Sequence, residues 1–182
     1  MTTPSVESPE PARTLAAFDA ARDTFLAAFA QTPDAALAYV PPGDEYALGA
    51  LLQHLCDPID RYLDVYDRIR RAGYGAVDLA ADPEYATNEA ARHAAVVAAR
   101  PTGADRPRLL AALHDAHQRV RGTFGELDAA TFARQAPVTY AAGTAPYPTG
   151  ARDIVGWLAD HYDEHTAQVA SMLTGWDHES SL

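Results

Sequence analysis

Cysteine is nearly missing from this 182-residue chain, with Cys56 standing alone. One thiol excludes an intramolecular disulfide framework and any four-thiolate zinc site, so a metal bound here must be held through nitrogen and oxygen. Basic residues are also scarce. There are 14 Lys+Arg against 25 Asp+Glu, for a formal net charge of −11, and the basic ones do not cluster. Such a surface repels a phosphate backbone, and nucleic acid is not expected as a partner. Long apolar runs are absent too: charge interrupts each one well short of the roughly 18 residues a membrane span needs. The amino end MTTPSVESPEPART lacks the basic-then-apolar plan of a signal peptide. The expectation is a cytoplasmic protein with no membrane association. Alternation of period two is not convincing anywhere, so no sheet is expected, and no internal repeat is found.

What is present is helical periodicity. With 48% apolar and 21% charged residues, the composition is that of one globular domain over residues 1–182, with 1–7 and 175–182 read as flexible ends. Ser8 as N-cap and Pro9 at the first helical position open a helix running to Gln31. Its stripe is Leu15, Phe18, Arg22, Phe25 and Phe29. Asp44 is placed to cap a second helix that extends to about Ala72, where Gly73 and Gly75 stop it. Its inward set of Leu48, Leu51, Leu52, Leu55, Ile59, Tyr62, Leu63, Tyr66 and Ile69 spans an arc of roughly 120°, wide enough for two neighbours. A long crossover follows, with a short extra helix near Asn88 to Arg100. A third helix runs from Asp105 to Leu127, with Leu110, Leu113, His117, Val120, Phe124 and Leu127 on its stripe. The stretch APVTYAAGTAPYPTG reads as loop, and Thr149 as N-cap of a fourth helix that ends near Leu173. Together these predict an all-α four-helix bundle with a long crossover between helices two and three.

In the fourth helix, DIVGWLADHYDEHTAQVASML, alternating steps of four and three from Ile154 pass through Leu158, His161, His165 and Gln168 before Met172. Two imidazoles therefore interrupt an inward stripe. An i, i+4 pair differs by about 40° around the helix and lies one turn apart, so both rings can converge on one point. A lone histidine in a core is ordinarily satisfied by a backbone or carboxylate partner. A facing pair needs something to accept both lone pairs, and a metal ion does so. A third protein ligand is then required, with His54, His93, His114 and His117 as candidates. Pro58 removes the helical hydrogen bond to the His54 carbonyl, so either a kink or a helix restarted at Asp57-Pro58 opens space beside His54.

The segment DEYALGALLQHL, followed much later by TGARDIVGWLADHYDEHTAQVASML, resembles the DinB/YfiT-like superfamily of metal-binding four-helix bundles. The resemblance implies a divalent ion, zinc or nickel foremost, held by His54, His161 and His165. It further implies thiol transfer or isomerisation dependent on a low-molecular-weight thiol, or hydrolysis, on a small-molecule substrate. Tyr46 stands where many members have a tryptophan, and the crossover is longer than usual.

Other readings of the same residues are weaker. HYDEH also spells H-x-x-E-H, the inverted zinc-peptidase signature, but Glu179 is the sole glutamate downstream of His165. Glu164, three residues after His161, is a candidate general base or partner of that ring, against the plainer role of a solvated carboxylate. Gln168 is placed to orient a ligand or water. Tyr62 and Tyr66 read as packing residues, and Tyr162 points about 100° away from His161. A ferritin-like di-iron centre is excluded because no glutamate lies on the apolar stripes. A metal-dependent enzyme and a non-catalytic stress-related metal-binding bundle are both consistent with these residues. The wide apolar arcs of helices one and two, with the habit of the resembled family, predict a homodimer.

Overall fold

The computed structural model describes residues 10–181, in which six α-helices and three short strands are found. Four long helices form the bundle: α1 (Glu10–Phe29), α2 (Leu51–Arg71), α4 (Arg106–Phe124) and α6 (Ala151–Ser180). The crossover between α2 and α4 carries β1 (Val77–Asp78) and α3 (Pro83–Ala98). Between α4 and α6 lie α5 (Ala129–Ala133), β2 (Gln135–Thr139) and β3 (Tyr147–Gly150). Among the described residues no helix is long and apolar enough to cross a membrane.

Periodicity sets the packing. Leu15, Phe18, Phe25 and Phe29 of α1 are buried, chiefly along α6, while α2 lies along α4. The core unites these with Leu51, Leu52, Leu55 and Ile59 of α2, Leu113, Val120 and Phe124 of α4, and Ile154, Leu158, Val169 and Met172 of α6. Burying a side chain of this size contributes about 1.5–3 kcal/mol, so the aligned stripes suffice to hold the bundle. His117 lies in this core, fully buried, its ring stacked on Phe18 at 4.1 Å and its Nε2 2.8 Å from the Asp19 carboxylate.

Several boundaries differ from the sequence reading. The expected caps Ser8 and Pro9 lie outside the described residues. Asp44 does not cap α2, which is entered through a 3-10 turn at Leu48–Ala50. α2 continues through Pro58 as one helix and does not restart there. It ends where Gly73 adopts left-handed φ of 59°, as the glycine signal implied. α3 starts earlier, at Pro83, because the Asp82 carboxylate accepts from the amides of Glu84 and Tyr85. α6 extends past Leu173 to Ser180, and Glu179 near its end accepts a hydrogen bond from the Tyr39 hydroxyl at 2.9 Å.

The expectation of no sheet is corrected. β1 pairs parallel with β2 and β2 antiparallel with β3, joining Val77 to Val138 and Val138 to Tyr147. Strands of two to five residues, with prolines at 137 and 148 facing one another, are too short and too interrupted for a period-two signal. Ala136 and Val138 face inward and form a second small core with Val65, Ile69, Leu79 and Tyr85.

This sheet sets the start of α6. Gly150, not Thr149, is the N-cap residue, and its amide donates to the Asp153 carboxylate at 2.9 Å. Gln135 of β2 donates to the same carboxylate at 2.7 Å. Thr149 is buried, with its hydroxyl 3.1 Å from that of Tyr140. A Cβ on Gly150 would fall inside contact distance of the Arg134 carbonyl oxygen. Gly150→Ala is therefore expected to destabilise the protein by about 1–3 kcal/mol, measured by urea denaturation. A midpoint equal to wild type would show that β2 and α6 shift apart freely.

Candidate metal centre

His54 lies in the first half of α2, and His161 and His165 lie one turn apart in α6. The packing of α2 and α6 in the core brings all three together. One nitrogen of each ring lies within 4.8 Å of the others. The ring centroids are 5.1 Å apart for His54 and His161, 4.7 Å for His54 and His165, and 4.4 Å for His161 and His165. The planes of the last two pairs are near-perpendicular, at 85° and 89°. The three residues singled out from the fourth-helix stripe and the second helix are thus neighbours in space.

Hydrogen bonding fixes the tautomer of His165. Gln168, one turn after His165, donates from Nε2 to the Asp44 carboxylate at 3.0 Å, which turns its Oε1 towards His165 at 2.6 Å. A carbonyl oxygen only accepts, so His165 Nδ1 carries the proton and its Nε2 presents a lone pair. Asp44, expected to cap a helix, instead anchors this chain of bonds. The Nε2 atoms of His161 and His165 are buried with no hydrogen-bond partner. Unpaired buried ring nitrogens of this kind are costly, and two of them within a cluster of three imidazoles make a donor set that fits a divalent cation. Tyr46 stacks on His54 at 4.5 Å, so the residue in the place of a tryptophan packs against a ring of the cluster.

Electrostatics favour neutral rings. Burial, followed by the charge His165 would carry, pushes His54 down to about 4, with His93 and Arg61 adding to the effect. Burial, then His165 and His54, pushes His161 down to about 3. Their lone pairs are therefore available at neutral pH.

A pocket of about 190 Å³ opens beside His54 and His161, lined also by Asp57, Pro58, Arg61, Glu89, Arg92 and His93. Pro58 borders this space, as its position after His54 implied. α3 supplies Glu89, Arg92 and His93; sequence reasoning weighed His93 as a third ligand but did not join Glu89 and Arg92 to the site, because their helix belongs to the crossover. Their one signal was the mixture of charges and histidine in an otherwise alanine-rich segment.

The other candidates stand outside the three-imidazole cluster. His93, 52% exposed, sits 3.8 Å from Glu45. His117 is held by Asp19, and His114 lines an apolar groove with Leu26 and Phe29. Glu164 is 75% exposed, its carboxylate 3.9 Å from His161 Nδ1. Tyr162 is buried among Phe18, Phe25 and His117, and Tyr66 is buried with its hydroxyl 3.1 Å from that of Tyr74. Glu179 follows His165 by 14 residues along α6, about 21 Å at 1.5 Å per residue, and cannot complete an inverted zinc-peptidase site.

The fold and site define a class: helical bundles whose second and last long helices bring together three imidazoles that could hold a metal ion. The family model of the DinB superfamily matches residues 9–169, and the chain belongs to that superfamily. No curated protein and no solved structure matches it.

Proposed function

We propose that the protein is a divalent-metal-dependent enzyme acting on a small molecule, with His54, His161 and His165 as its metal ligands. The reading rests on the convergence of three imidazoles with two buried, unpartnered Nε2 atoms. Imidazole donors without thiolate or carboxylate suit zinc and nickel. Bound there, such an ion supplies Lewis acidity that lowers the pKa of a water or a thiol at an open position. The chain's residues hold and orient: Asp44 and Gln168 fix the tautomer of His165, Tyr46 packs His54 in place, and burial keeps His54 and His161 unprotonated. Glu164, exposed and 3.9 Å from His161 Nδ1, stands beside that ring and outside the pocket lining. Thiol transfer or isomerisation with a low-molecular-weight thiol, or hydrolysis, are the reactions this arrangement and the superfamily favour.

The pocket beside His54 and His161 favours an enzyme over a non-catalytic metal-binding bundle, in which a fourth protein ligand would close the site. His117, one candidate for that ligand, is committed to Asp19. The test is elemental analysis of the purified protein followed by a screen for thiol-transferase and hydrolase activity of the metal-loaded form. A metal bound by four protein ligands with no exchangeable position would overturn the enzyme reading.

Asp44 and Gln168 carry their own prediction. Gln168→Ala and Asp44→Asn are each expected to weaken metal binding about 10- to 100-fold while leaving the fold intact, read by competition with a chromophoric chelator. Unchanged affinity would show that His165 needs no brace. Self-association as a homodimer belongs to the same proposal, and a monomeric mass in solution at micromolar concentration would remove it.

A further inference from the structure

Resting on the metal-centre reading above, we infer that the substrate of this site carries a carboxylate, received by Arg92 and Arg61 in the pocket beside His54 and His161. The chain contains no lysine, so each of its 14 basic residues is an arginine, whose planar fork matches a carboxylate with two parallel hydrogen bonds. Two of these guanidinium groups line the pocket, on a protein whose formal net charge is −11. Their states differ. Arg61 pairs with Glu89 through Nη1, and its Nε is buried without a partner, so part of its donor capacity is unspent. Arg92 makes no hydrogen bond or ion pair among the described residues and acts on Asp57 through space.

Charge counting points the same way. The pocket's side chains bring two guanidinium groups against the carboxyls of Asp57 and Glu89, so a divalent ion on the histidines leaves an excess of positive charge. An anionic ligand balances it. Arg61 also lies close enough to act on both His54 and His161, so a carboxylate bound to it sits within electrostatic reach of the reacting end of the pocket. The volume of about 190 Å³ equals about six waters at roughly 30 Å³ each, which suits a short acid.

The experiment is isothermal titration calorimetry of the zinc-loaded full chain with succinate, succinamide and inorganic phosphate, with zinc content measured in every sample. Succinate is expected to bind about tenfold more tightly than succinamide, the size of one charge-assisted hydrogen bond. Arg92→Gln should lose a similar factor at unchanged zinc content and circular dichroism. Arg92→Lys, which keeps the charge but not the fork, should recover part of it. If the wild-type chain takes up no zinc, the metal-centre reading fails separately, and the metal-free protein, without the ion's charge, should bind succinate more weakly but still in an Arg92-dependent manner. Equal binding of succinate and succinamide, wild-type affinity in Arg92→Gln, or tighter binding of phosphate than of succinate would overturn the inference.

Discussion

Alanine in place of His161 or His165 is expected to abolish divalent-metal binding and to leave most of the helix content in place. Each change removes one donor from a group of three, and the remaining two imidazoles do not hold a divalent ion against water. The bundle depends on other residues: Leu51, Leu55, Leu113, Val120, Leu158 and Met172 are all buried and untouched by either change. Losing a buried ring leaves a cavity at a cost of a few kcal/mol, on the order of 2–4. Removing a buried Nε2 that has no partner offsets part of that. Circular dichroism and metal content, measured together for each variant, check the outcome. Wholesale unfolding on mutation or chelation would make the metal structural and shift the reading towards a metal-stapled binding module.

Acid is expected to destabilise the metal-free protein as pH falls through the range in which an unfolded histidine titrates. In the folded chain burial holds His54 at about 4 and His161 at about 3, whereas an unfolded histidine titrates near 6.5. Below pH 6.5 the unfolded state therefore binds protons that the native state refuses, and the equilibrium moves towards it. The stabilisation is complete above pH 6.5, declines as pH falls through that value, and is exhausted once both folded pKa values are passed. Allowing for the part of each ring that water reaches, the loss by pH 5 is on the order of a few kcal/mol. His117, lowered by burial against the pull of Asp19, adds in the same direction. Urea denaturation in chelator at pH 7, 6 and 5 measures the decline, and the double variant His54→Ala with His161→Ala isolates the site's share. A stability independent of pH over this range would contradict neutral, buried rings.

Much of the site was legible because it lies on regular helices. A step of four between His161 and His165 fixes their relation wherever the helix goes, and the resemblance at DEYALGALLQHL identified His54 as the partner. Gln168 was visible on the same stripe, but its bond to Asp44 joins residues 124 positions apart, which periodicity does not reveal. Asp44 was read as a cap because an aspartate before an apolar run ordinarily is one. The pocket wall from α3 was hidden for a related reason: Arg92 and Glu89 reach the site through tertiary packing of the crossover. The sheet was missed where Pro137 and Pro148 imitate loop, although its strands carry Gln135 and Gly150, which bond to Asp153 at the start of α6.

The measurement that tests the central claim most directly is metal analysis of the purified chain combined with X-ray absorption at the edge of the bound metal. The account predicts one divalent ion per chain, ligated by three imidazole nitrogens at about 2.0–2.2 Å, and its loss from the variant with alanine at His54, His161 and His165. A chain that stays metal-free after incubation with zinc and nickel, or a triple variant that binds the ion as tightly as wild type, would contradict it.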